Sequence, residues 1–179
     1  KAKFLRHLRY LPVDHVLLDL GAGSSFNVLD FFLAAQRGIV VVVPEPTSIE
    51  NGYRFIKSAL YRRLRTAARS QALVALVDAA MDPKNAEGIK TPLDLLARAE
   101  AIDPECAEGL RREMGRFQPR FVVNEVRDPS DVGIGHHLVA ACSRHLGLRA
   151  SYAGFVHHDD AVWQAVRRRR LLHGRPHNW

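Results

Sequence analysis

An acid at the end of an apolar run, with glycines just beyond it, is the arrangement in this chain with the clearest chemical use. Residues 15–25 read HVLLDLGAGSS, and after a helical pattern residues 38–50 read GIVVVVPEPTSIE. Asp19 stands where the first run ends, which is where ligand chemistry gathers in open α/β sheets. It sits as the acid of a nucleotide-bound metal would, and Gly21 and Gly23 allow backbone to approach a phosphate closely. The same residues also make an ordinary strand-end turn with a helix cap, and spacing leaves both readings open.

Further residues have candidate roles. Asn124 lies near the end of another apolar run, FVVNEV. Its amide both donates and accepts, so it can read a purine edge, or it can cap a turn. Glu45, between Pro44 and Pro46, is either held toward a ligand or solvated. His157, His158, Asp159 and Asp160 are metal-ligating types, yet adjacent strand residues point to opposite faces and make a poor chelate. Arg54, Lys57, Arg62, Arg65 and Arg69 fall in one sector of a helix. They form either a face for DNA or acidic lipid, through phosphate contacts, or a solvated surface. Arg167–Arg170, beside Val162, Trp163, Val166, Leu171 and Leu172, could rest on a membrane surface, but the pattern favours a helix packed on the sheet. No Ser/His/Asp or Cys/His arrangement stands out.

Composition bounds the partners. The 179 residues are 47% hydrophobic, enough for one core and one domain or most of one. Lysine and arginine exceed acids by 26 to 19, giving a net charge of +7, which leaves room for an anionic partner. Cys106 and Cys142 match no metal or redox spacing, so a reducing, cytoplasmic setting is expected, peripheral to membrane or nucleoid if the basic face is used. No apolar stretch reaches the length of a membrane span, and no signal peptide opens the chain. The chain begins with Lys1, so a piece of a longer product is expected.

The elements needed to position these residues follow in order. Lys1–Tyr10 has the spacing of an amphipathic helix, stopped by Pro12. Val13–Leu20 predicts a strand covered on both faces, followed by a helix from Ser24 or Ser25 through Gln36. Ile39–Val43, an isoleucine and four valines, predicts a second strand, making a right-handed βαβ unit with the first. A helix over Ile49–Arg69 is expected next, capped by Thr47 or Ser48, and Gln71–Ala80 continues helically. Thr91-Pro92 and Asp103-Pro104 open two more helices before Gly115. Arg120–Val126 predicts a third strand, His136–Leu146 a helix, Leu148–Val156 a fourth strand, and Ala161–Leu172 a last helix begun by Asp159 or Asp160. The class is α/β, a mostly parallel sheet covered by helices.

DLGAGSS, VVVPEPTSIEN, VVNEV and YAGFVHHDDAVWQAVRRRR, in that order, resemble the second half of a MinD/ParA-type P-loop ATPase, nearest the branch of the flagellar-number regulators. The resemblance spans nearly the whole chain and is weakest over residues 71–115. It implies a partial P-loop NTPase (SIMIBI-like) fold over residues 1–172, with 173–179 as a tail. It also implies ATP and Mg²⁺ as cofactors, and a homodimer when nucleotide is bound. Asp19 matches the switch II acid that orders the magnesium shell through water, and Gly23 the glycine whose amide faces the terminal phosphate, with Gly21 beside it. Asn124 matches the asparagine that reads adenine. Glu45–Ser48 matches a loop near the dimer interface, and Asp159 an acidic position near the base. The family's K-G-G-x-G-K-[ST] loop and switch I are absent, and His157 stands where relatives usually have proline. These residues alone are therefore expected not to hydrolyse ATP. The other reading is a non-catalytic protein or nucleic-acid interaction module on a degenerate scaffold.

Overall fold

A computed structural model of the chain describes residues 7–8, 10–82, 84 and 88–170. Most of the helix expected over Lys1–Tyr10 lies outside the described residues, as do Leu171, Leu172 and the tail. The elements are α1 (Phe26–Ala34), β1 (Ile39–Val42), α2 (Pro46–Ala67), α3 (Gln71–Met81), α4 (Pro92–Ile102), α5 (Pro104–Arg116), β2 (Arg120–Val126), a 3₁₀ turn (Pro129–Gly133), α6 (Ile134–Leu146), β3 (Ser151–His157) and α7 (Asp160–Arg167). The fold is α/β, with a parallel three-stranded sheet in the order β1-β2-β3 and helices packed on it.

The valine-rich runs form strands because β-branched side chains suit the pleated backbone. In register, Val40 meets Phe121 and Val42 meets Val123, and all four are buried. Ile56, Leu60 and Leu64 of α2, Leu110 of α5, and Leu138 and Cys142 of α6 complete the same core. The alternate residues of β1 do otherwise. Ile39 and Val41 are exposed, Val41 to 59%, so the second face expected to be covered is open along β1.

Helix entrances follow local chemistry. Thr91 accepts from the Asp94 N–H while Asp94 accepts from the Thr91 N–H, a closed capping box with Pro92 in the first turn. Asp103 accepts from the Cys106 N–H ahead of Pro104. These bonds hold both carboxyls below their ordinary range, led by the Thr91 and Cys106 backbone N–H groups. Each depressed carboxyl contributes stability above its unfolded pKa, and that contribution is lost as pH falls through the folded value. The entrance to α2 departs from expectation. Its cap is Glu45 with Pro46 following, and Ser48 instead accepts from the Val43 N–H at 3.0 Å, tying the turn back to β1.

Two sequence expectations are corrected. Val13–Leu20 forms no strand, and Leu17 is 93% exposed. An apolar run becomes a strand only with a ladder partner and cover for both faces. Neither β1 nor β3 takes this run as a neighbour, so the βαβ unit expected there does not form. The apolar stripe of α7 also fails to pack on the sheet: Val162, Trp163 and Val166 are exposed, and Arg167 lies over the Trp163 ring at 4.7 Å. No helix among the described residues is long and apolar enough to cross a membrane.

Candidate functional site

Parallel strands bring their carboxyl ends to one edge, and neighbouring strands lie about 4.8 Å apart. Glu45 follows β1, Asn124 lies near the end of β2, and Asp159 follows β3. These three residues therefore share an edge roughly 10 Å wide.

Their immediate surroundings differ. The Glu45 carboxylate is exposed and makes no hydrogen bond or ion pair among the described residues. Asn124 is half-buried, and its amide is likewise uncommitted among those residues, so it does not cap a turn there. It sits beside a break in register between Val123 and Val126, where Glu125 takes a left-handed φ of 58°. A non-glycine residue there carries strain of about 1–2 kcal/mol, held in place by the paired residues on either side. The bulge re-aims the strand end next to Asn124. Asp159 is committed to the backbone, capping α7 by accepting from the Ala161 N–H at 2.8 Å.

His158 links the ends of β2 and β3. Its backbone N–H bonds to the Val126 carbonyl, and its ring lies 3.3 Å from Arg127 Nη2 and 3.0 Å from Asp160 Oδ1. Arginine only donates, so Nδ1 accepts, and in the neutral ring Nε2 carries the proton toward Asp160. That arrangement orients the imidazole as a fixed wall of the edge. Among the described residues, no group of three His, Cys, Asp or Glu is gathered as a metal site.

Asp19, Gly21 and Gly23 precede α1 in the chain. They belong to a segment with neither helix nor strand, with Gly23 at φ 106° and open space around both glycines. Ser25 caps α1, accepting from Val28. α1 is fastened to α2 well beyond Glu45: Arg62 grips Asp30 through two bonds of 2.9 and 3.2 Å and lies over Phe26 at 4.8 Å. No hydrogen bond, ion pair or ring contact joins Asp19, Gly21 or Gly23 to the edge residues among the described positions. Strand order places Glu45, Asn124 and Asp159 at one edge.

The basic sector of α2 is largely neutralised from within. Arg54 pairs with Glu50 at 2.7 Å, Arg62 with Asp30, and Arg65 with Asp78 at 2.6 Å. Lys57 and Arg69 are left without a carboxylate partner among the described residues. The cysteines are protonated at neutral pH, since burial pushes the Cys142 thiol to about 11 and a hydrogen bond to Asp103 raises Cys106. Neither is an activated nucleophile.

Two features had weak sequence signals or none. The Glu125 bulge has none, because its cause is the register with β3. Arg63 had one: it falls on the helical face of Gly52, Ile56 and Ala59, away from the other basic residues of α2. It meets Glu113 at 2.7 Å. Compared with known proteins, the chain matches no family model, no curated protein and no solved structure at a significant level.

Proposed function

We propose that this chain is the C-terminal part of a MinD/ParA-like ATP-binding switch protein, one that positions cellular structures by engaging partners in its ATP-bound form. The observation that carries the reading is the uncommitted Asn124 amide, beside a strained bulge, at the carboxyl edge of a parallel sheet. Ligands of open α/β sheets bind at that edge, and strained backbone concentrates at binding sites. A half-buried amide with unspent donors and acceptor suits the exocyclic amine and ring nitrogen of adenine.

The residues fit the base end of ATP better than the phosphate end. Asn124 takes the base, Asp159 flanks it while capping α7, and Glu45 faces the adjoining edge. For magnesium and phosphates the chain offers Asp19 and the amides around Gly21 and Gly23. Bound there, Mg²⁺ would neutralise charge developing on the transferred phosphoryl group. Asp19 would orient the metal's water shell, and Gly23 would donate its amide to the terminal phosphate. Both roles need residues 13–20 drawn onto the sheet as a strand, beside a segment carrying a K-G-G-x-G-K-[ST] loop. That loop would supply the phosphate cradle and the lysines.

For contact with DNA, membrane or protein, the paired arginines of α2 offer little unspent charge. The exposed stripe of α7 followed by Arg168–Arg170 is the better candidate surface, and it also serves the reading as an interaction module. The base-reading role is tested by nucleotide binding to the whole encoded protein. Asn124→Ala should weaken ATP about 10–100-fold, the worth of a lost base-edge contact of about 1–3 kcal/mol. It should also erase preference for ATP over GTP. Unchanged affinity and unchanged preference would remove Asn124 from the site.

A further inference from the structure

The amino edge of the sheet, opposite Glu45 and Asn124, opens onto a cavity of about 570 Å³. Its lining includes Arg37, Arg63, Arg116, Arg120 and Arg149 and, among the described residues, no carboxylate. Phe32 and Phe117, both buried, form an apolar floor, with their rings edge to face at 6.3 Å. Gly38 permits that closure, since a Cβ there would stand 2.5 Å from the Phe32 ring.

The arginines come from separate parts of the fold. Arg37 follows α1, Arg116 ends α5, Arg149 follows α6, Arg120 opens β2, and Arg63 projects from the core face of α2. One nearby acid, Glu113, bonds Arg63 at 2.7 Å and Arg116 at 2.9 Å. Arg149 bonds the Gly115 carbonyl at 3.4 Å. The side chains of Arg37 and Arg120 make no hydrogen bond or ion pair among the described residues. Arg63 Nε, shut off from solvent, has no hydrogen-bond partner there either. A turn of that guanidinium toward an anion would give Nε a partner in exchange for the bond to Glu113.

Helix dipoles do not account for this charge. The carboxyl ends of α1, α5 and α6 each carry about half a negative charge. Together these offset less than half of the surplus that five arginines hold over one glutamate. Guanidinium forks match phosphate oxygens two at a time, and the ring floor is too buried to stack a base. We propose that this cavity binds a compact oligophosphate group, either as free polyphosphate or as the phosphate chain of a small metabolite. The site is independent of the base-reading edge.

The test is calorimetric titration of the chain with tripolyphosphate, with ATP and orthophosphate as separate arms. Expected are one site for tripolyphosphate, weaker binding of orthophosphate, and affinity that falls as salt rises. With Asn124→Ala in place to silence the base-reading edge, equal tripolyphosphate and ATP affinities would mean that the phosphates alone are read, and ATP still tighter than tripolyphosphate would identify a phosphorylated metabolite as the source. Arg37→Ala and Arg120→Ala should each weaken binding at least tenfold. Arg120→Lys, which keeps charge but loses the fork, should fall between. Arg54→Ala and Asn124→Ala, which lie outside the cavity, should leave tripolyphosphate affinity unchanged. Thermal unfolding supplies the folding control: tripolyphosphate should raise the midpoint of the unsubstituted chain by more than that of Arg37→Ala at the same concentration. Absence of saturable tripolyphosphate binding, equal loss in Arg54→Ala, or full affinity in both Arg37→Ala and Arg120→Ala would overturn the proposal.

Discussion

Phe121→Ala should cost about 3–5 kcal/mol, the usual range for emptying a buried phenylalanine site. Phe121 is 0% exposed on the central strand, in register with Val40 on one side and Tyr152 on the other. Strands flank it and helices lie over it, so the gap has little freedom to collapse. Domains of this size have about 5–15 kcal/mol in total, and the substitution removes a large part of it. Val41→Ala is the matched comparison, a large-to-small change in the neighbouring strand but on the open face. It should cost under about 1 kcal/mol. Urea unfolding midpoints read both values. If Val41→Ala proved as costly as Phe121→Ala, the helices would have to cover both faces. Phe121→Leu keeps the measurement possible should the alanine variant not fold.

Gly135→Ala should destabilise in spite of helix propensity. Alanine in a helix interior is worth about 1 kcal/mol over glycine, so on local grounds the change is favourable. A Cβ at Gly135, however, would stand 2.2 Å from Tyr152 Cε2 and 2.6 Å from Cγ. Contact that close to the root of the ring is not relieved by ring rotation. Either Tyr152 leaves its rotamer or α6 lifts from β3, and overpacking of this kind costs about 1–3 kcal/mol. The net is a loss of up to about 2 kcal/mol. Coupling identifies the cause. With Tyr152→Ala already in place, Gly135→Ala should turn neutral or stabilising, and additive losses would exclude the ring clash.

The parts of the fold legible in the sequence are those fixed by near neighbours. Thr91-Pro92 and Asp103-Pro104 announced their helices because capping bonds reach only a few residues along the chain. The valine runs of β1 and β2 were readable because β-branching itself favours the strand. Val13–Leu20 misled because its composition suits a buried strand, while a strand also needs a partner that composition does not reveal. The stripe of α7 misled similarly: Val162, Trp163 and Val166 have the spacing of a packed face and stand exposed.

The candidate site divides along the same line. Glu45, Asn124 and Asp159 were readable as strand-end residues, and parallel pairing gathers them at one edge. Their setting was less legible. The left-handed Glu125 depends on a register shift against β3, and the carboxylates that pair Arg62 and Arg65 lie on α1 and α3. The five arginines of the amino-edge cavity are scattered over more than a hundred positions between Arg37 and Arg149. Only their convergence makes them a feature.

The proposed switch is tested most directly by magnesium-dependent ATP turnover, measured on the 179-residue chain and on the whole encoded product. Asp19, Gly23 and Asn124 are proposed as one part of a pocket whose phosphate cradle lies on a K-G-G-x-G-K-[ST] loop. The chain alone should therefore show no turnover. The whole product should hydrolyse ATP, and Asp19→Asn should reduce its kcat at least a hundredfold, consistent with losing about 2.7 kcal/mol or more of transition-state stabilisation. Robust hydrolysis by the 179 residues alone, or a whole product that neither binds nor hydrolyses ATP, would contradict the account.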